Sequence, residues 1–206
     1  MKTDQEKFWK GEFGNDYISR NNNKRLIASS ISLFSNALKS TSTCVQSAIE
    51  FGCNIGINLS ALHELLPDSD LSGVEINPDA ASIARNNTNA EIFESSILDI
   101  DINKTYDLTF TKGVLIHINP NHLVDVYKKL YNYSDKYILV AEYYNPSPVS
   151  IDYRGHEERL FKRDFAGELM DMYQDLILVD YGFVYHKDTT FPQDDISWFL
   201  MSKRLS

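Results

Sequence analysis

The chain has 206 residues, of which 43% are hydrophobic and 24% are charged, and its formal net charge is −9. This length and composition fit one globular domain, with a core large enough to fold without a disulfide or metal staple. The acidic charge disfavours non-specific binding to nucleic acid, and no run approaches the ~20 apolar residues that span a membrane.

A helical cap or lid is predicted over residues 1–43. The opening residues are polar and mixed in charge, unlike a secretory signal peptide, which contains an apolar stretch. Polar segments at 20–24 and 35–44 flank residues 25–38, where the apolar side chains have helical spacing. We expect residues 44–206 to form the main domain.

Buried strands alternate with helices from residue 45 onward. Strands are predicted at residues 45–51, 71–76, 90–95, 106–112 and 136–144, and helices at residues 57–66, 77–87, 119–133 and 163–173. This alternation is typical of an α/β fold with a doubly wound, mostly parallel sheet and helices on both faces. The last strand-like runs, 176–186 and 197–204, have no helix between them that could make a parallel crossover. One strand of this pair is therefore predicted to be antiparallel to the rest.

A glycine-containing turn follows the first strand in "IEFGCNIGINL", residues 49–59. Ligands of α/β sheets bind at the carboxyl ends of the strands, so this turn is the expected site. Gly52 and Gly56 permit close backbone approach and unusual backbone angles. The dinucleotide fingerprint G-x-G-x-x-G fails because Asn54 and Ile57 replace its second and third glycines, which disfavours an NAD-dependent enzyme. Asn54 itself tolerates a left-handed φ, so we expect the turn to be intact.

The second strand ends at Glu75, 25 residues after Glu50. An acidic side chain at this point can accept hydrogen bonds from both ribose hydroxyls of a nucleoside. Each feature alone also fits a purely structural turn, but together they predict a nucleoside site. Cys53 in the turn is expected to be a small packing residue, because no motif activates it as a nucleophile. The only other cysteine is Cys44, and no Cys/His pattern is present, so we expect no metal site and a reduced, cytoplasmic setting.

Four segments resemble motifs I to IV of the class I S-adenosylmethionine-dependent methyltransferases: "AIEFGCNIG" (48–56), "LSGVEINPDAASIAR" (71–85), "AEIFESSILDI" (90–100) and "YDLTFTKGVLIHI" (106–118). The resemblance extends over roughly residues 44–204. It implies a Rossmann-like sheet of seven strands in the order 3-2-1-4-5-7-6, with the last strand antiparallel. It also implies S-adenosyl-L-methionine as cofactor and S-adenosyl-L-homocysteine as product. The departure is Asn54, where many members have glycine.

A narrower resemblance is to the pseudaminic acid biosynthesis-associated methylases, carried by residues 6–21, 52–59, 113–120 and the tail over 143–195. That family occurs with pathways for nonulosonic, sialic-acid-like sugars. The resemblance implies methyl transfer to oxygen or nitrogen of such a sugar or its nucleotide-activated precursor. Two alternatives stay open: a methyltransferase acting on another small metabolite, and a catalytically silent binding or scaffold protein with this fold. A DNA amino-methyltransferase is disfavoured because "TKGV" (111–114) stands where an Asn/Asp-Pro-Pro-aromatic motif would be.

The class I resemblance assigns the cofactor contacts residue by residue. They are Glu50, Gly52, Cys53, Asn54, Gly56 and Asn58 in the first turn, Glu75, Ile76 and Asn77 after the second strand, Ser96 and Ile97 after the third, and Lys112 and Gly113 after the fourth. Glu50 is expected near the cofactor's amino group, Glu75 at the ribose and Ile76 on the adenine. At Ser96 the family often has an aspartate that faces the adenine amine. From the cap, Tyr17 and Asn21 are expected to cover the cofactor, although an ordinary amphipathic helix is the alternative.

The acceptor side is predicted from groups that can remove a proton or bind an anion. His117 is the first candidate for a general base and Glu142 is the second, with plain packing as the alternative for His117. Predicted acceptor contacts are Tyr143, Arg154, His156, Arg163 and His186. Arginine side chains suit carboxylates and phosphates, but those of this segment can also pair with neighbouring acidic residues. We expect an anionic sugar or nucleotide sugar as partner, no nucleic acid or membrane, and a monomer or homodimer.

Overall fold

The computed structural model describes residues 3–20 and 24–204. The helices are α1 (Asp4–Lys10), α2 (Glu12–Arg20), α3 (Lys24–Leu38), α4 (Ile57–Leu65), α5 (Pro78–Asn87), α6 (Leu123–Asn132) and α7 (Phe165–Met172). The strands are β1 (Ser47–Phe51), β2 (Asp70–Glu75), β3 (Glu91–Glu94), β4 (Tyr106–Lys112), β5 (Ser134–Glu142), β6 (Val149–Tyr153), β7 (His156–Lys162), β8 (Leu176–Val184) and β9 (Ile196–Lys203). The strands and helices predicted from residue 45 onward agree with these bounds to within a few residues.

One sheet of seven strands carries the fold, in the order β3-β2-β1-β4-β5-β9-β8. β1 to β5 pair in parallel, and β9 is antiparallel to both β5 and β8. Counted within this sheet alone, the order is 3-2-1-4-5-7-6, which confirms the predicted topology. The chain between β8 and β9 contains no helix, so β9 returns beside β8 in the opposite direction.

A two-stranded hairpin, β6–β7, was not predicted. Its strands meet at Arg154 and Gly155, which both have positive φ, of 51° and 83°. Two consecutive positive φ angles in a two-residue loop define a type I′ turn, in which asparagine, aspartate or glycine usually takes the first position. Because arginine is unusual at that position, the sequence did not indicate the turn, and the segment was considered only as a source of acceptor contacts.

Helices cover both faces of the sheet. On one face, α3 and α4 pack with alternate residues of β1, β4 and β5, and on the other face α6 and α7 do so. Leu33 and Phe34 of α3 are fully buried in the first of these cores. α3 is therefore part of the main core, although its Leu26 and Ser30 also reach the cavity at the sheet's carboxyl edge. α1 and α2 form the cap at that edge, and the domain boundary at residue 43 stays a prediction. Among the described residues, none of the helices combines the length and apolar character needed to cross a bilayer.

Candidate active site

A cavity of about 520 Å³ lies at the carboxyl ends of β1 to β4. From β1 the chain adds β2 and β3 on one side and then β4 and β5 on the other, so the topological switch point lies between β1 and β4. α/β sheets bind ligands at such switch points. α1, α2 and the loop before β9 complete the walls. The predicted site residues that line it are Tyr17, Gly52, Cys53, Asn54, Asn58, Glu75, Ile76, Asn77, Ser96, Ile97, Lys112, Gly113, His117 and His186.

The first turn has the strained backbone that its sequence predicted. Gly52, Asn54 and Gly56 have φ angles of 82°, 47° and 84°. A side chain on Gly52 would place its Cβ 2.6 Å from Val114, so glycine allows the loops after β1 and β4 to approach. Asn54 accepts the N–H of Ile55 through its own Oδ1 at 2.8 Å, a local bond that supports its left-handed conformation.

Glu75 joins this turn to the second strand. Its Oε2 accepts the Asn54 N–H at 2.8 Å, and its Oε1 accepts the Asn77 N–H at 2.7 Å. Burial raises the pKa of this carboxyl, while these backbone N–H groups oppose the shift. Each carboxylate oxygen retains a second lone pair. Glu75 also lines the cavity, so it is placed to accept hydrogen bonds from a bound diol.

Glu50 lies beneath the turn at the end of β1 and is fully buried. Its Oε1 accepts a hydrogen bond from Asn58 Nδ2 at 2.6 Å, and Asn58 in turn accepts one from Ser30 at 3.0 Å. Its Oε2 is buried and has no hydrogen-bond partner among the described residues. Burial raises the pKa of Glu50 to about 8, and Lys112 opposes that shift through its positive charge. Glu50 does not itself line the cavity but lies directly beneath the turn that does.

Asn77 and Ser96 hold the cap against the strand ends by hydrogen bonds. Asn77 begins α5 as its N-cap, as predicted, and its Nδ2 donates to the Trp9 carbonyl at 3.2 Å and to Asn15 Oδ1 at 2.7 Å. Ser96, after β3, donates its hydroxyl to Glu6 of α1. The cap is thereby tied to the ends of both β2 and β3.

An aromatic cluster joins the cap to the β6–β7 hairpin. Trp9 lies 4.7 Å from the His117 ring and 5.2 Å from Tyr17, measured between ring centroids. Phe8 of α1 packs against His156 at 5.0 Å, and His117 lies 4.9 Å from Tyr153. The predicted acceptor residue His156 therefore contacts the cap from the hairpin and does not line the cavity.

His117 is 8% exposed, and one ring nitrogen faces a backbone carbonyl. Its Nδ1 lies 2.6 Å from the Arg159 oxygen, which can only accept. Nδ1 therefore carries the proton in the neutral ring, and Nε2 keeps a lone pair. Burial lowers the pKa of His117 to about 4, so the ring is neutral at physiological pH. His117 thus has a proton acceptor and also the packed surroundings that were its alternative.

Glu142, the second candidate base, binds backbone instead. Its Oε1 accepts the N–H groups of Val114 and Leu115, both at 3.0 Å, and its Oε2 faces the N–H of Ile116 at 3.5 Å. Burial raises the pKa of Glu142 to about 7. It does not line the cavity, so it positions the loop that carries His117 and is not placed as a base.

The other predicted residues fall into two groups. Cys53 lines the cavity as a buried thiol whose pKa is raised by burial, which fits packing. His186 reaches the cavity wall and pairs with Asp195 at 2.8 Å. The cavity lining does not include Gly56, Tyr143, Arg154 or Arg163. Arg163 forms an ion pair with Glu168 at 2.6 Å. Asn21 lies outside the described residues.

Sequence reasoning missed several wall residues, among them Glu6, Trp9 and Asp194. Glu6 and Trp9 belong to the predicted lid, but nothing in a helical pattern shows which side chain turns inward. Asp194 lies in the loop before β9, beside Lys112 and the Tyr143 hydroxyl, whose pKa is raised by burial and by that carboxylate. Its position depends on the antiparallel return of β9.

Comparisons with known proteins agree with this fold. Residues 48–135 match the family model described as a methyltransferase domain. No curated protein matches the sequence. Similar solved structures include the plantazolicin methyltransferase BpumL in complex with S-adenosylhomocysteine, at 16% identity and a TM-score of 0.65, covering 97% of this chain and 94% of that one.

Two further structures have the same fold. Magnesium protoporphyrin IX methyltransferase ChlM from Synechocystis PCC 6803, solved with bound S-adenosylmethionine, is 11% identical, has a TM-score of 0.64 and matches over 98% of both chains. The sugar N-methyltransferase KedS8 from Streptoalloteichus sp. ATCC 53650 is 13% identical, with a TM-score of 0.66 over 95% of this chain and 94% of that one. These matches do not confirm the narrower resemblance to the pseudaminic acid biosynthesis-associated methylases. Residues 48–135 thus match a methyltransferase domain model, and the chain has the Rossmann-like fold of these methyltransferase structures, with the strand order 3-2-1-4-5-7-6.

Proposed function

We propose that this protein transfers a methyl group from S-adenosyl-L-methionine to oxygen or nitrogen of a small acceptor. The observation that carries the proposal is the pairing of the glycine turn with Glu75 at one cavity. S-adenosylhomocysteine bound in BpumL and S-adenosylmethionine bound in ChlM support the same ligand here.

The donors and acceptors present fit this cofactor. Glu75 would accept the ribose hydroxyls. Glu50, buried beneath the turn, would give up its proton and offer a negative charge to the ammonium of the methionine part. Ile76 and Ile97, which follow β2 and β3, line the cavity and would pack on the base. Gly52 and Gly113, both at positive φ, leave the backbone accessible where the methionine part would lie.

When bound, the cofactor would supply an electrophilic methyl carbon to the acceptor's lone pair, and the electron pair of the broken carbon–sulfur bond would stay on sulfur. The chain's own contribution is alignment and exclusion of water by α1 and α2. A hydroxyl or ammonium acceptor must also lose a proton. His117 Nε2, which holds a lone pair at neutral pH, is the group we propose to receive it.

For the acceptor, we propose an anionic sugar of the nonulosonic type or its nucleotide-activated precursor. The narrower resemblance is the main support. Lys112 on the cavity wall supplies positive charge, and Arg154 at the hairpin tip, outside the cavity lining, adds a second cation nearby. A sugar N-methyltransferase shares the fold. We further propose a cytoplasmic monomer or homodimer; both cysteines are free, as in a reducing compartment.

The test is turnover with methyl-labelled S-adenosylmethionine, followed by mass spectrometry. Acceptors are nonulosonic acids, their CMP-activated forms and UDP-linked amino sugars, and a panel of other small hydroxyl and amino metabolites serves as comparison. A labelled sugar supports the whole proposal. Label on another metabolite would keep the methyltransferase and reject the sugar. Tight binding of S-adenosylhomocysteine with no labelled product from any acceptor would favour the silent binding protein.

A further inference from the structure

Glu6 of the cap reaches the far end of the cavity, where no cap residue was expected to act. It is 8% exposed and lines the cavity wall. Its Oε2 accepts the Thr3 N–H at 2.7 Å, which closes a capping box at the start of α1. Its Oε1 accepts the hydroxyl of Ser96, 90 residues further along the chain. A carboxylate is thereby held at the carboxyl end of β3.

The position of that carboxylate matches where a nucleobase would lie. β2 and β3 are paired in parallel with Glu75 opposite Glu94, so the residues after β3 lie one strand spacing, about 4.8 Å, beyond Glu75. A base attached to a ribose held by Glu75 would extend over this neighbouring strand end. Ile76 and Ile97 line that space, and Ser96 and Glu6 form its polar edge.

The polar edge accepts hydrogen bonds and offers no proton of its own. The Ser96 hydroxyl proton points to Glu6, while Ser96 Oγ accepts the Leu98 N–H at 3.0 Å. A carboxylate oxygen has two lone pairs, so Glu6 Oε1 can accept a second donor beside Ser96. Adenine presents an amine, a donor, at its C6 position, whereas hypoxanthine presents a carbonyl oxygen there.

We infer that Glu6 is the residue that selects the adenine amine of the cofactor, from the cap rather than from the sheet. The inference rests on the proposed function, because it presumes a nucleoside held by Glu75. It makes α1 part of the binding site: the helix would complete the base pocket only when it is docked. Hypoxanthine in place of adenine would bring its carbonyl oxygen against the carboxylate and be rejected.

The experiment compares calorimetric affinities for S-adenosylhomocysteine and S-inosylhomocysteine. Wild type should prefer the adenosyl ligand by at least about tenfold, the scale of one hydrogen bond to a charged group. Glu6→Gln should reduce that preference by about tenfold, because the amide can donate to the carbonyl oxygen and glutamine still serves in the capping box. Glu12→Gln, an exposed carboxyl on α2, is the matched control and should leave the preference unchanged.

A third variant separates selection from cap docking. Thr3→Ala removes the other half of the capping box and leaves the Glu6 carboxylate in place. This variant should bind both ligands more weakly and by the same factor, so that the ratio of the two affinities stays as in wild type. The inference would be overturned if Glu6→Gln kept the wild-type ratio of the two affinities, or if Thr3→Ala lowered that ratio as much as Glu6→Gln does. In either case, binding of S-adenosylhomocysteine would still support the proposed function. Wild-type protein that bound neither ligand would overturn both.

Discussion

Glu75 connects the cofactor proposal to folding at the scale of one side chain. Glu75→Gln replaces one acceptor with an amide that faces a backbone N–H of Asn54 or Asn77. We expect a loss of about 1–3 kcal/mol in the free energy of unfolding and at least tenfold weaker binding of S-adenosylhomocysteine. Denaturant unfolding and calorimetry measure the two effects.

Glu94→Gln, an exposed carboxyl at the end of β3, is the control for that prediction. It should leave the affinity for S-adenosylhomocysteine within about twofold of wild type, since an exposed ion pair contributes little. An affinity in Glu75→Gln that equalled the affinity in this control would remove Glu75 from the ligand site.

Glu50 predicts how stability depends on pH. Its pKa rises from 4.5 to about 8 on folding, so between those values the folded state holds a proton that the unfolded chain releases. Stability from this group is therefore fully present below pH 4.5 and is lost as pH rises through 8. The difference in unfolding free energy between wild type and Glu50→Gln should change by about 2 kcal/mol from pH 6.5 to pH 9, in favour of the variant at high pH.

Chemical denaturation of both proteins across that range gives the comparison. Glu64→Gln, exposed on α4, should follow wild type at every pH. Parallel stability curves for wild type and Glu50→Gln would mean that Glu50 is ionised in the folded protein at neutral pH.

His117 is the residue that distinguishes the chemical step from binding. Asparagine at 117 can still donate to the Arg159 carbonyl from the position of Nδ1, but it lacks Nε2. His117→Asn should lower kcat about 10²–10⁴-fold and leave the affinity for S-adenosylhomocysteine within about twofold. Because the pKa of His117 is about 4, ionisation of His117 should not affect the wild-type rate between pH 5.5 and 8.

The matched control for that variant is His122→Asn, in the loop before α6. Its kcat should equal wild type. A near-normal kcat in His117→Asn would return His117 to a packing role and leave proton removal to solvent.

The sequence predicted residues whose role is local and missed those whose role depends on contacts made far along the chain. Gly52 and Asn54 were predictable because their backbone angles follow from residue type and a turn after a strand. Glu6 was not, because its partner Ser96 belongs to another element 90 positions away. The sequence correctly predicted that Glu142 ends the fifth strand. It gave no sign that this carboxyl accepts hydrogen bonds from backbone N–H groups of the loop after β4.

At the scale of elements, the cap depends on contacts with both the sheet and the hairpin. α1 reaches Ser96 through Glu6 and His117 through Trp9, and α2 reaches Asn77 through Asn15. If ligand fills the space beneath these helices, α1 and α2 should open less often. Hydrogen exchange should therefore slow in residues 4–18 and 52–58 when S-adenosylhomocysteine is added.

The far end of the sheet provides the internal control for that measurement. Exchange in β8, which lies at the opposite edge from β3, should not change. Slower exchange at 52–58 with no change in α1 and α2 would mean that the ligand binds at the turn and that the cap does not cover it.

Elements differ in how well sequence identifies them. α5 was predicted from Asn77 and Pro78, because an N-cap and a proline at the first helical position are local signals, and the structure confirms both. The β6–β7 hairpin escaped because Arg154 occupies a left-handed position that arginine seldom takes. α3 had the right helical spacing, but its burial in the main core follows from tertiary packing.

For the whole molecule, the strand order was predictable and the walls of the cavity were not. The alternation of strands and helices, with no helix before β9, restricts the sheet to a few topologies. The cavity combines the cap, the strand ends and the loop before β9, which are remote in sequence. No sequence periodicity shows how such segments meet. The sequence therefore predicted the strand-end residues of the cavity and left the cap that covers them as a hypothesis.

Calorimetric titration of the full chain with S-adenosylhomocysteine is the most direct measurement to make. The glycine turn, Glu75 and the cap around one cavity predict a single site per chain and saturable binding, with matching thermal stabilisation that grows with ligand concentration. Absence of binding heat and of any thermal shift, in a protein that unfolds cooperatively, would contradict the cofactor site and leave the glycine turn as a structural feature.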